Sequence, residues 1–150
     1  VCRRLDQAQA QCAARGAQLT ALRREVLELL LLRQGRAKAY DLQDDLRARH
    51  GRVAPTTVYR ALEFLMEQQL VHRVDSLNSF VVCNLDHGPH APAHDHTMML
   101  VCSRCGQVTE VHDDPATEAI RRALHDEAAG FHATGIEIKG VCAACQSQAR

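Results

Sequence analysis

No stretch of this 150-residue chain approaches the ~18 consecutive apolar residues that a membrane-crossing helix needs; the longest apolar run, Val26 to Leu32, is interrupted by Glu28. No membrane span and no membrane partner are therefore expected. No secretory signal pattern opens the sequence. The cysteine count is seven, an odd number, which fits reduced thiols in a cytoplasm better than a disulfide framework. Net charge is missing as well, with 18 Lys+Arg against 18 Asp+Glu; taken alone, that argues against a nucleic-acid binder. Tryptophan is absent and tyrosine occurs only twice, at Tyr40 and Tyr59. There is no internal repeat.

The zero balance hides an asymmetry. Residues 1–83 carry 13 Lys+Arg and 9 Asp+Glu, a balance of +4, while residues 84–150 carry 5 and 9, a balance of −4. A basic first half and an acidic second half fit a DNA-facing part followed by a metal-binding part.

The first half has helical periodicity. Residues 5–15 are rich in Ala and Gln and stop before Gly16. Thr20 can cap a second helix with Leu22, Val26, Leu29 and Leu30 on one stripe, ending near Gly35. A third helix is predicted over Ala39 to His50, with Leu42 and Leu46 inward and Gly51 after it. The fourth opens at Pro55, a residue suited to a first helical turn, and repeats Val58, Leu62 and Leu65. The period then changes to that of strands at Leu70 to Val74 and Phe80 to Cys83, around the turn residues Asp75 to Ser79. Helices followed by a hairpin predict a winged helix-turn-helix domain over residues 1–83. Residues 84–97, rich in Pro, Gly and His, form a hinge. In residues 98–150, strands at Met98 to Val101 and Gln107 to Val111, a helix from Asp114-Pro115 to about Ala129 and a strand from Phe131 to Lys139 predict a small α/β domain. The fold class is α+β.

Pro55-Thr56-Thr57-Val58-Tyr59-Arg60-Ala61-Leu62 divides its labour. Val58, Ala61, Leu62 and Leu65 can face a core, leaving Thr56, Tyr59, Arg60 and Glu63 outward near the end that enters the major groove in helix-turn-helix proteins. Thr56 and Thr57 suit phosphates, Arg60 can pair with guanine, and Tyr59 offers a ring to a thymine methyl. Tyr40, at the start of the third helix, is a further candidate contact. An amphipathic helix with a solvated face would show the same pattern; the hairpin and the basic first half favour DNA.

Two C-x-x-C pairs, Cys102/Cys105 and Cys142/Cys145, are separated by 36 residues. Brought together they make a closed tetrahedral S4 site of the kind that holds structural zinc. A redox pair would be single and would open a helix. A second ligand set is offered by the hairpin. His72 and Cys83 are equidistant from the Leu77-Asn78 turn, so a symmetric register places them directly opposite each other, with Cβ atoms about 4.5–5.5 Å apart. His94 or His96 in the hinge and Glu110 can complete it. A His-Cys-His-Glu set suits zinc, and its thiolate disfavours iron and manganese. Such a site would bridge wing, hinge and second domain, so that filling it shifts the population toward a DNA-competent form. Each member alone is more often a packed or surface residue; the combination carries the reading.

With these residues in place, the chain resembles the ferric uptake regulator superfamily and, within it, the zinc uptake regulator branch. The most specific pieces are Ala39-Tyr40-Asp41-Leu42, Pro55 to Leu62, Val71-His72-Arg73-Val74 with Phe80-Val81-Val82-Cys83, and both C-x-x-C pairs. The resemblance implies a cytoplasmic homodimer with N-terminal winged-helix and C-terminal dimerisation domains. It implies two zinc ions per chain and A/T-rich palindromic double-stranded operators of zinc-uptake genes, repressed when the regulatory zinc is bound. His72, Cys83, a hinge histidine and Glu110 become the regulatory ligands, with His96 preferred to His94 because it lies nearer the next strand. Leu19-Thr20-Ala21-Leu22-Arg23 departs from the family by lacking Pro-Gln after Thr. The competing readings are the same fold sensing iron, manganese or peroxide, a zinc enzyme with Glu110 as general base, and a zinc-stabilised interaction module. No catalytic residue and no small-molecule substrate are expected.

Overall fold

The computed structural model describes residues 1–83, 97–112, 114–128, 131 and 135–147. The chain forms two compact units, Val1–Ala91 and Pro92–Arg150.

The first unit begins with α1 (Cys2–Ala14). Its buried residues, Leu5, Ala8 and Cys12, recur at helical spacing and make a single stripe. The helix closes through Gly16, at φ +67°, with the Ala17 N–H donating to the Cys12 carbonyl at 2.9 Å; that positive φ is one glycine adopts without strain. Helix α2 (Ala21–Leu32) buries Val26, Leu27, Leu29 and Leu30. Thr20 occupies its N-cap position but makes no side-chain capping bond. After α2, the two-residue strand β1 (Arg36–Ala37) leads into α3 (Ala39–His50). Helix α4 (Pro55–Glu67) buries Val58, Ala61, Leu62, Phe64 and Leu65. Leu30, Leu42, Leu46, Leu62 and Leu65 are all fully buried. Each such side chain contributes about 1.5–3 kcal/mol of transfer free energy, and together they join α2, α3 and α4 in one core.

Strands β2 (Val71–Val74) and β3 (Ser79–Val82) follow, joined by a 3₁₀ turn at Asp75–Leu77 and by Asn78 at φ +47°. Asn tolerates that left-handed conformation better than most residues. The sheet order is β1-β3-β2, antiparallel throughout. The chain pattern did not reveal β1, and it placed Ser79 in the turn although it is the first residue of β3. The pairs are Val71↔Val82, His72↔Val81, Arg73↔Phe80 and Val74↔Ser79.

In the second unit, β4 (Thr97–Cys102) is the central strand of a sheet ordered β5-β4-β6. It pairs antiparallel with β5 (Val108–His112) and parallel with β6 (Ile136–Gly140). A parallel neighbour needs a crossover, which α5 (Asp114–Glu127) supplies. A five-residue helix, α6 (Ala143–Ser147), ends the described part. Of the strand predicted over Phe131 to Lys139, the part from Ile136 is found in β6, and residues 132–134 lie outside the described residues. Met98, Met99, Val101 and Cys102 are buried, whereas Leu100 and Ile138, register partners in the parallel pair, are 38% and 46% exposed.

Candidate metal centre and nucleic-acid interface

Parallel pairing of β4 with β6 sets Cys102 beside Gly140. Both C-x-x-C hooks thereby reach the same end of one sheet. The first hook is a turn closed by the Gly106 N–H donating to the Cys102 carbonyl at 2.9 Å, with Gly106 at φ +70°. The second starts just after β6 and continues into α6, which holds Cys145. Two side chains of the first hook staple it to the second strand and helix. Ser103 donates from its hydroxyl to the Gly140 carbonyl at 3.0 Å, and Arg104 donates to the Cys145 carbonyl at 2.9 Å. Neither staple was legible in the cysteine spacing.

The four sulfurs all lie within 4.8 Å of one another, and Cys105 Sγ and Cys142 Sγ are 3.7 Å apart. A tetrahedron with metal–sulfur bonds of ~2.3 Å has edges of about 3.8 Å, so the observed separation would suit two ligands of one zinc. The proton distribution is uneven. Backbone hydrogen bonds from the Cys105 and Cys142 region pull the Cys102 thiol down to about 6; one of them is the Cys142 N–H, 3.3 Å from Cys102 Sγ. Hydrogen bonding to the Cys142 and Cys105 sulfurs, with burial and the Cys102 charge behind them, pushes Cys145 up to about 12. One thiolate forms readily and the last is opposed by its neighbours. A dication removes that opposition, which is why such a cluster fits a metal ion with soft-ligand affinity.

In the first unit, His72 lies on β2 and Cys83 one residue past the end of β3. Their ligand atoms lie within 4.8 Å of each other. The expected direct opposition is corrected by the register: His72 faces Val81, and Cys83 is bonded through its N–H to the Leu70 carbonyl at 2.9 Å. The loop spans residues 75–78, shifting the centre of symmetry by one residue and the register by two. A shift of two preserves the face, so the two side chains meet as diagonal neighbours. His72 is half-buried and Cys83 buried. In the second unit, Glu110 is half-buried on β5, paired with Met99. His94 and His96 lie outside the described residues, as does the hinge from residue 84 to 96.

The face of α4 opposite its buried stripe carries Thr56, Tyr59, Arg60 and Glu63, all exposed, with Thr57 half-buried. The spacing places those four on one side of the helix. Tyr59 is 49% exposed and Tyr40, on the first turn of α3, is 65% exposed, so both rings are open to contact. The start of α3 is firm: Asp41 accepts the Lys38 backbone N–H at 3.1 Å. Between α3 and α4, buried Gln43 donates to the Val53 carbonyl at 2.9 Å, locking the turn of the helix-turn-helix. That bond was missed at the sequence level because Gln43 sits in a run of polar residues.

The ferric uptake regulator family model matches residues 14–139 of the chain. The zinc uptake regulation protein of Escherichia coli (strain K12) is 44% identical over 146 residues, spanning 94% of this chain and 80% of that protein. A solved structure described as a zinc uptake regulator complexed with zinc and DNA aligns over 97% of this chain and 95% of its own, with a TM-score of 0.80 and 43% identity. The crystal structure of holo XcZur aligns over 95% and 96%, with a TM-score of 0.78 and 34% identity.

Proposed function

The chain belongs to the ferric uptake regulator family, and from that premise we propose that it is a zinc-responsive transcriptional repressor. It acts as a homodimer that binds palindromic A/T-rich operators of zinc-uptake genes once its regulatory zinc is in place. Cys102, Cys105, Cys142 and Cys145 hold a structural zinc. His72, Cys83, Glu110 and a histidine of the hinge, His96 with His94 as the alternative, hold the regulatory one. Tyr40, Thr56, Thr57, Tyr59 and Arg60 meet the DNA. The exposed pair Leu100 and Ile138 supports a second copy as the partner that covers this strip.

The observation that carries the reading is the pairing, within one chain, of an outward Thr56–Tyr59–Arg60 row with two separate soft-ligand clusters. Similarity to a zinc uptake regulation protein and to a zinc- and DNA-bound regulator supports the same conclusion. The Cys83 thiolate favours zinc over iron or manganese as the signal. Bound zinc would supply the charge that offsets the thiolates; four protein ligands around it would leave no open position for a substrate, so the role is regulatory and not enzymatic. A regulator that acts on chromosomal DNA would work in the cytoplasm. Among the described residues no helix is long and apolar enough to cross a membrane.

The test is retention of fragmented source DNA at fixed salt across buffered free zinc, with iron(II) and manganese(II) in parallel. Specific fragments retained only as zinc rises beyond the filling of the structural site are expected. Retention independent of zinc, or driven by another metal, refutes zinc sensing.

A further inference from the structure

Cys83 lies one step beyond the last ladder pair of the hairpin, where a strand end is ordinarily loose. Both of its backbone polar groups are nevertheless held. Its N–H donates to Leu70, and its carbonyl accepts a guanidinium N–H from Arg4, 79 positions earlier in the chain. Arg4 is half-buried while its neighbour Arg3 is exposed, so α1 turns this side chain toward the protein. A hydrogen bond from a charged donor is among the stronger ones available to a carbonyl.

The same helix and its C-cap residue, Arg15, grip the other side of the pairing. Gln11 Nε2 and Arg15 Nη1 donate to the Gln68 carbonyl at 2.8 and 2.9 Å, and Arg15 Nη2 donates to Gln69 Oε1 at 2.6 Å. Gln69 has φ +60°, a left-handed conformation uncommon for a side-chain-bearing residue. It immediately precedes Leu70, the acceptor of the Cys83 N–H. Helix α1 therefore touches both chain segments whose alignment aims the Cys83 thiol toward His72.

We propose that Arg4 is a positioning residue for the regulatory zinc: by holding the Cys83 carbonyl, it fixes the backbone from which the thiolate meets the metal. This rests on Cys83 being a regulatory ligand. Groups that orient metal ligands without touching the metal typically account for about 10–100-fold in affinity, and Arg4 would do so from outside the ligand set, through one backbone bond.

The experiment is chelator competition for the second zinc on the full chain with its structural site already loaded, comparing Arg4→Ala, Arg4→Lys, Gln11→Ala and Cys83→Ser. Arg4→Ala is expected to weaken the second zinc by about 10–100-fold and leave the first untouched. With cobalt(II) as the probe metal, its thiolate-to-metal absorption should shift relative to the parent chain. Arg4→Lys, which keeps a charged donor, should recover part of the affinity. Parent-like affinity in Arg4→Ala overturns the proposal, as does an equal loss in Gln11→Ala, which would mean that anchoring of α1 alone matters. If Arg4→Ala does not fold, Arg4→Gln takes its place; its shorter side chain should also weaken the second zinc, and parent-like affinity there again overturns the idea. Cys83→Ser separates the two claims, since retention of the second zinc in that variant removes Cys83 from the ligand set itself.

Discussion

At the scale of single residues, a repressor of this kind divides its chemistry between groups that would read DNA and groups that would hold metal, and each can be removed without the other. Arg60 lies exposed on α4 away from the core, so Arg60→Ala should leave folding and zinc content unchanged. Loss of one bidentate base contact costs about 1–3 kcal/mol, and operator affinity measured at fixed salt should fall accordingly, with sequence preference relaxed at one position per half-site. Cys102→Ser should act in the opposite direction, releasing the structural zinc and lowering the thermal stability of the second unit, because structural zinc supplies about 10–16 kcal/mol in small zinc folds. Retention of full zinc content and stability in that variant is the outcome that sinks the S4 assignment. The same cysteine sets a pH dependence in the metal-free chain. Its thiol falls from an ordinary 9.0 to about 6 on folding, so between those values the unfolded chain binds the extra proton and stability rises with pH. That contribution is complete above about 9 and lost as pH drops through about 6. Unfolding of the metal-free protein followed across this range should show the rise, and Cys102→Ser should flatten it. The meeting of the four cysteines was legible because C-x-x-C spacing is that of a metal-binding hook. Arg4 was not, since a hydrogen bond to a backbone carbonyl 79 positions away leaves no pattern in either segment.

Elements are where the sequence was most informative and where its failures have identifiable causes. Helices α3 and α4 run from Ala39 and Pro55 as their apolar spacing predicts, because glycine, proline and a 3.6-residue stripe agree at both ends. Strand β1 has two residues, too few to display any period; it exists because β3 has an open edge to fill. The hairpin register went astray for a local reason. A 3₁₀ turn and a left-handed Asn78 use four loop residues, whereas symmetry about Leu77-Asn78 assumed a different centre. Since the error was an even number of residues, His72 and Cys83 remained on one face and within reach of each other. The helix-turn-helix depends on a detail of the same kind, the Gln43 bond to Val53. Gln43→Leu keeps the apolar bulk but leaves that carbonyl without its donor, which should cost about 1–3 kcal/mol. Chemical denaturation of the full chain measures the loss, and a variant as stable as the parent would show that the turn is held by packing alone.

For the whole molecule, the proposal turns on a coupling between zinc and DNA, and coupling has a symmetry that can be measured. If regulatory zinc raises operator affinity by some factor, operator DNA must raise regulatory-zinc affinity by the same factor. Non-specific phosphate contacts complicate only one side of this. They make DNA affinity fall steeply with salt, but they do so for zinc-loaded and zinc-poor protein alike when the same cations meet the backbone. The ratio is therefore the informative quantity. Titrating the second zinc with and without a saturating operator fragment should show tightening by the factor obtained from DNA binding at low and high free zinc, in the same buffer. Scrambled DNA should leave zinc affinity almost unchanged. Cys83→Ser should abolish the tightening while structural zinc stays in place, since the first site is complete within the second unit. An operator that binds well but leaves zinc affinity untouched would mean that zinc at His72 and Cys83 stabilises the fold without reporting to DNA, and the regulatory role would have to be assigned elsewhere.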